Sequence, residues 1–136
     1  MDQKDERTWG TLVHLAGIIG MWLQFTVGNV IAVLILWLIK RNESAWYDNQ
    51  GKEAINFQIT LSIVAVCLNI INNIRLGLFA LGNFFWGGGS HFFVWQTGGG
   101  IFGLIWLVNI IFSIIAMVKA SKGETYRYPL SLRLVK

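Results

Sequence analysis

Eight polar side chains stand in stretches that are otherwise as apolar as lipid: His14, Gln24, Gln58, Ser62, Asn69, Asn72, Asn109 and Ser113. Amides and hydroxyls at such depth have two uses. They bond across helix interfaces, contributing ~0.6 kcal/mol each in measured cases, or they line a wet path for a solute. His14 is the one group titrating near neutrality on an interior face. A proton relay is one reading of it, and an interfacial histidine bonded to backbone is the other. Catalysis inside a membrane draws on buried carboxylates, a metal-spaced histidine cluster or an activated nucleophile. The spans hold no Asp or Glu past Glu53, and His14 and His91 are expected on opposite sides. An enzyme is therefore not expected, nor a catalytic residue, a cofactor or a metal site. Cys67 is the single cysteine, which excludes a disulfide or a cysteine metal site within one chain.

The spacing of these residues predicts helices that hold them in rows. Gly51, Ala54, Gln58, Ser62, Ala65, Asn69 and Asn72 recur every three or four positions and share one helical face. Gly99, Gly103, Asn109, Ser113, Ala116 and Ala120 form a second row, and Gly10, His14, Gly17, Gly20 and Gln24 a third. Small residues in such rows let membrane helices approach closely.

The elements carrying the rows must be membrane helices. Of 136 residues, 54% are hydrophobic and 13% charged, against roughly 25% charged in a soluble domain. Every charged side chain but Arg75 lies within residues 2–7, 40–53 or 119–136. The opening DQKDER is neither basic nor followed by a small-residue cleavage site, so the first apolar segment is expected to remain. The formal charge of +4 fits basic helix ends on one membrane face better than nucleic acid, and no nucleic-acid partner is expected.

We expect an all-α integral membrane protein, one transmembrane domain over 1–136, with segments near 9–24, 29–40, 51–82 and 99–118 and a tail at 119–136. The apolar block 9–39 is interrupted at Gln24–Asn29, so it is either a hairpin of two short helices or one long kinked helix; the latter leaves three spans. Loop 40–53 holds Lys40, Arg41 and Lys52, the tail holds five Lys/Arg, and 83–98 holds none. Basic loops face the cytoplasm, which places both termini there and favours the hairpin. The glycine- and aromatic-rich run GNFFWGGGSHFFVWQTGGG, 82–100, reads as a connection at the outer interface. Arg75 either snorkels outward or pairs with its asparagine neighbours.

Between the second and third segments, Trp37, Trp46 and Tyr47 read as interface anchors. Asp48, just ahead of the third helix, is placed to cap free backbone N–H groups. Tyr128-Pro129 reads as a stop. Beyond it Leu130, Leu132 and Leu134 alternate with Ser131 and Arg133, as in a short strand or a segment lying at the headgroups.

The strings ERTWGTLVHLAG (6–17), GNVIAVLILWLIKRNES (28–44), YDNQGKEAINFQIT (47–60) and KASKGETYRYPLSLRLVK (119–136) together resemble a bacterial family of small membrane proteins of unknown function. That family is similar to the magnetosome membrane protein MamF and to the twenty-kilodalton subunit of the chloroplast inner-envelope import translocon. The resemblance covers nearly the whole chain. It falls on His14, Gly28, Asn29, Asp48, Gly51, Lys52, Glu53, Asn56, Phe57 and Gln58, and on Tyr126, Arg127, Tyr128 and Pro129. Bottom-up, Lys52 and Glu53 read as interface anchors.

Two function classes follow. One is a non-enzymatic membrane scaffold or assembly component of a bacterial cell membrane, oligomeric with its own copies or with other membrane proteins. The other is a pore or transporter component, for protein segments or a small solute, lined by the polar rows.

Overall fold

Apolar runs broken by polar turns give four helices here. A computed structural model describes residues 1–23, 27–86 and 91–136, side chains at 79, 83, 86 and 91–99 excepted. The helices are α1 (Gln3–Leu23), α2 (Gly28–Lys40), α3 (Ala45–Trp86) and α4 (His91–Ser121). No strand occurs among the described residues. Two stretches, Ala45–Gly82 and Gly100–Ser121, are long and apolar enough to cross a membrane, and Gly28–Lys40 is a shorter apolar helix.

Local chemistry sets several helix ends. The Asp2 carboxylate accepts the Asp5 N–H at 2.7 Å, an N-cap for α1. Ser44 does the same for α3, accepting the Tyr47 N–H at 3.2 Å, while its own hydroxyl donates to Glu6 of α1. Asp48 therefore does not sit ahead of the helix as its sequence position suggested. It lies inside the first turn, accepting from Trp37 Nε1 at 2.9 Å and pairing with Lys52 at 2.5 Å. At the other end of the chain, Gly123 (φ 79°) closes α4. Its N–H reaches the Ala120 carbonyl and the Glu124 N–H reaches Lys119, the paired bonds of a Schellman stop. That turn directs residues 124–136 back across the bundle.

α1 and α2 run antiparallel, packed so closely that a Cβ on Gly20 would collide with the Gly28 carbonyl. Lys40, at the far end of α2, stands over the Trp9 ring of α1. At 13 residues α2 is ~20 Å long, whereas α3, at 42 residues, is ~63 Å. The short pair thus covers only part of the long one. Beside it the four helices bury a core that includes Val13, Val33, Trp37, Tyr47, Ala54 and Ile55, continuing through Met21, Phe57, Leu61, Ala65, Ile105 and Ala116. We call this half the base. Beyond the α1–α2 tip, α3 and α4 continue as an arm whose Ile70, Ile71, Ile74, Leu78, Leu81 and Leu104 are all exposed.

Several expectations are corrected. α1 and α3 begin six residues earlier than the apolar runs at 9 and 51, because Asp2 and Ser44 cap them there. Residues 82–86 and 91–100, expected in a connection, are helical; 87–90 lie outside the described residues. Trp37 and Tyr47 are core residues rather than interface anchors, and the Tyr47 hydroxyl donates to the Leu36 carbonyl at 2.6 Å. The tail forms no strand, since its backbone bonds go to side chains of α3. Arg75 donates to Asn72 Oδ1 at 2.9 Å.

Candidate functional site

The turn-by-turn spacing of Gly51, Ala54, Gln58 and Ser62 lays them along the face of α3 that meets α1, α2 and α4. Gly51 is flat against the Trp37 ring, and Gly17 of α1 admits the Gln58 side chain, which a Cβ there would displace. Gln58 is consequently buried at the centre of the base with no bulk in its way. Its Nε2 donates to Asn109 Oδ1 at 2.8 Å, and its Oε1 accepts from Asn29 Nδ2 at 2.8 Å. Asn29 Oδ1 accepts in turn from the Ser62 hydroxyl at 3.2 Å. Asn109 Nδ2 donates to the Gly17 carbonyl at 3.3 Å, and Ser113 donates to Asn109 Oδ1 at 3.1 Å. Five side chains and one carbonyl link all four helices. Asn29, Gln58, Asn109 and Ser113 are each 1% exposed or less.

A second group lies nearer the capped helix ends. His14, also buried, contacts Gln50 Oε1 through Nε2 at 2.9 Å and the Tyr128 hydroxyl through Nδ1 at 3.0 Å. The pairing fits a neutral imidazole with its proton on Nε2, donating to Gln50 and accepting from the phenol. His14 is thus held by two side chains, not by backbone as expected. Burial holds the Tyr128 phenol above its ordinary pKa, so it remains an O–H donor.

The tail supplies Tyr128 by reading α3. Glu53, Asn56 and Thr60 follow one another at helical spacing. Glu53 accepts the Tyr128 N–H at 3.3 Å and pairs with Arg133 at 3.8 Å. Asn56 Oδ1 accepts the N–H groups of Leu134 and Val135, at 3.1 and 2.8 Å, while its Nδ2 donates to the Val135 carbonyl at 2.8 Å. Thr60 accepts the Leu132 N–H at 2.8 Å. Between these polar contacts, Tyr128 stacks on Phe57 with ring centroids 4.1 Å apart, and Tyr126 meets Tyr128 edge-on at 5.0 Å.

The structure therefore brings His14, Asn29, Gln58, Ser62, Asn109 and Ser113 together, with Glu53, Asn56, Phe57, Tyr126 and Tyr128 around them. Gly28 and Gly51 sit at the helix packing contacts described above, and Asp48 pairs with Lys52 beside Trp37. Asn69 and Asn72 do not join: they lie out on the arm, Asn69 exposed and accepting from Asn73 at 3.0 Å, because among the described residues no third helix reaches them. Arg127 and Pro129 are exposed. Gln24 lies outside the described residues. Gln50 escaped the sequence reading, although it stands four residues before Ala54 and extends the row by one turn. Among the described residues no three His, Cys, Asp or Glu side chains group as a metal site.

Compared with known proteins, residues 5–135 match the family model MamF_MmsF, the magnetosome magnetite crystal formation protein family. No curated protein and no solved structure matches the chain.

Proposed function

For a chain that belongs to the magnetosome magnetite crystal formation family, we propose a non-enzymatic role as an oligomeric, multi-pass scaffold of a bacterial cell membrane. α3 and α4 cross the bilayer, and α1–α2 enter as a short hairpin. Residues 2–7, 40–53 and 119–136 lie on the cytoplasmic side. The family description supplies crystal formation as the process in which such a scaffold would serve.

One observation carries this reading. At the centre of the base the amides and hydroxyls of Asn29, Gln58, Ser62, Asn109 and Ser113 bond to one another, while the arm presents bare apolar faces. A solute path needs polar groups with bonding capacity left for its cargo. A scaffold needs a locked core and apolar flanks for lipid and neighbouring chains. Support for the topology comes from Glu6 with Ser44 and Arg7 beside Gly123, which put all three charged stretches at one end of the bundle.

Two measurements test the proposal. With Cys67 replaced, a cysteine at residue 3 is expected to label only from the inside of sealed vesicles. Labelling from outside would restore the three-span arrangement. Liposomes bearing the wild-type chain are expected to pass no ions or small solutes, while native mass spectrometry reads more than one copy per particle. Flux that disappears in a stably folded Gln58→Leu variant would replace the scaffold by a pore.

A further inference from the structure

Five of the ten described cations of the base have a carboxylate or a ring as partner. Lys40 pairs with Glu43, Lys52 with Asp48, Lys119 with Glu124 and Arg133 with Glu53, and Arg41 lies over Trp37. Lys4, Arg7, Lys122, Arg127 and Lys136 have no such partner among the described residues, and of these Lys4 and Arg7 line one cavity. It measures about 580 Å³ and is bounded by Gln3, Lys4, Arg7, Thr8, Thr11, Leu12 and Ser121. Two neighbouring carboxylates face other work: Asp2 caps the Asp5 N–H and Glu6 accepts from Ser44. A smaller cavity adjoins through Gln3 and Arg7 and is lined also by Glu6, Trp46 and Gly123. The Trp46 indole N–H is buried without an acceptor among the described residues. The lining of the larger cavity thus holds two cations and no carboxylate.

The position of the cavity narrows its ligand. Below it α1 continues with exposed Leu12 and Ile19, and α4 with exposed Val118, Ile115 and Ile111. Charged donors above an apolar helix surface match a molecule with an anionic head and hydrocarbon below. We propose that this cavity binds a phosphate group, Lys4 and Arg7 pairing with its anionic oxygens and an acyl chain lying along Leu12 when the phosphate belongs to a lipid. Because Lys4 and Arg7 come from α1 and Ser121 from α4, an occupied site would tie the first helix to the last at the membrane surface. This rests on the membrane placement proposed above; the phosphate chemistry does not.

The full-length chain in mild detergent, titrated with phosphatidylglycerol or phosphatidylcholine and read by native mass spectrometry, tests the site. Wild type is expected to hold one phosphatidylglycerol per chain at least fivefold more tightly than phosphatidylcholine. The double variant Lys4→Gln/Arg7→Gln is expected to lose that preference with its helical circular dichroism unchanged. A control, Lys40→Gln/Arg41→Gln, removes two charges elsewhere on the base and should keep it. Inorganic phosphate, followed by tryptophan fluorescence, separates the sources. Competition with phosphatidylglycerol identifies a lipid headgroup site, and phosphate binding with no lipid preference identifies a soluble phosphate site. Equal lipid binding by wild type and double variant, with no phosphate response, overturns the proposal. Failure of wild type to enter nanodiscs would instead strike the membrane reading, leaving the phosphate arm to decide the site.

Discussion

The base and the arm share α3 and α4, yet the same residue types mean different things in them. In the base, glycines are contact points: Gly17 receives Gln58, Gly20 receives the α2 backbone and Gly51 receives Trp37. In the arm, a Cβ on Gly77, Gly82, Gly100 or Gly103 meets nothing among the described residues. The asparagines divide the same way, Asn109 being fully buried and Asn69 exposed. A row of small and polar residues is therefore a packing seam only as far as a third helix reaches. Past that point it is a face.

The contrast can be broken most forcefully at Gly20. Gly20→Val would drive a branched side chain into the Gly28 backbone, which cannot step aside, and we expect a loss of ~3 kcal/mol, the upper end of overpacking costs. Gly77→Val should leave stability within ~0.5 kcal/mol. Thermal melts of both in detergent compare them; equal melting temperatures would erase the distinction between base and arm. Next in size is Ala116→Leu, at ~1–3 kcal/mol, since Ala116 is 0% exposed and its neighbour Ile115 is 39% exposed. Ile115→Leu should be nearly silent. A smaller effect is expected for Gln58→Leu, ~1–2 kcal/mol, because Asn29 and Asn109 lose partners where no water replaces them. Asn69→Leu should cost nothing measurable by urea titration of micelle-bound protein. A larger loss at Asn69 than at Gln58 would place a missing partner on the arm. The smallest effect, ~1 kcal/mol, is expected for Tyr128→Phe, which keeps the stack on Phe57 and deletes the bond to His14. Faster cleavage of the 122–136 segment by limited proteolysis would report it, and unchanged protection would show that stacking alone holds the tail.

Much of the base was legible in the sequence. Charge segregation marked the membrane class, the interruption before Asn29 marked the short helices, and spacing of three and four placed His14, Gln58, Asn109 and Ser113 on facing rows. The helix ends were less legible. Gly82, Gly99 and Gly100 read as turn signals by the habits of water, where glycine costs a helix ~1 kcal/mol. In a lipid-like setting an unpaired backbone group costs more than that, so the helix carries on through them. Interfacial rings misled for a related reason. Trp37 and Tyr47 have the composition of an aromatic belt, but Gly51 opens a slot that draws Trp37 into the core. The link from His14 to Tyr128 was beyond reach, because no periodicity connects residues 114 positions apart.

That distance in sequence is also a distance in time. At roughly 5–20 residues per second, translation delivers Tyr128 on the order of ten seconds after His14. During that interval the first helix exists with its histidine, while the phenol that will bond to it has not been made. The short hairpin therefore cannot reach its final state as it emerges. It must wait in a hydrated or otherwise accommodated form, and the arrival of Tyr128 is the event that completes it.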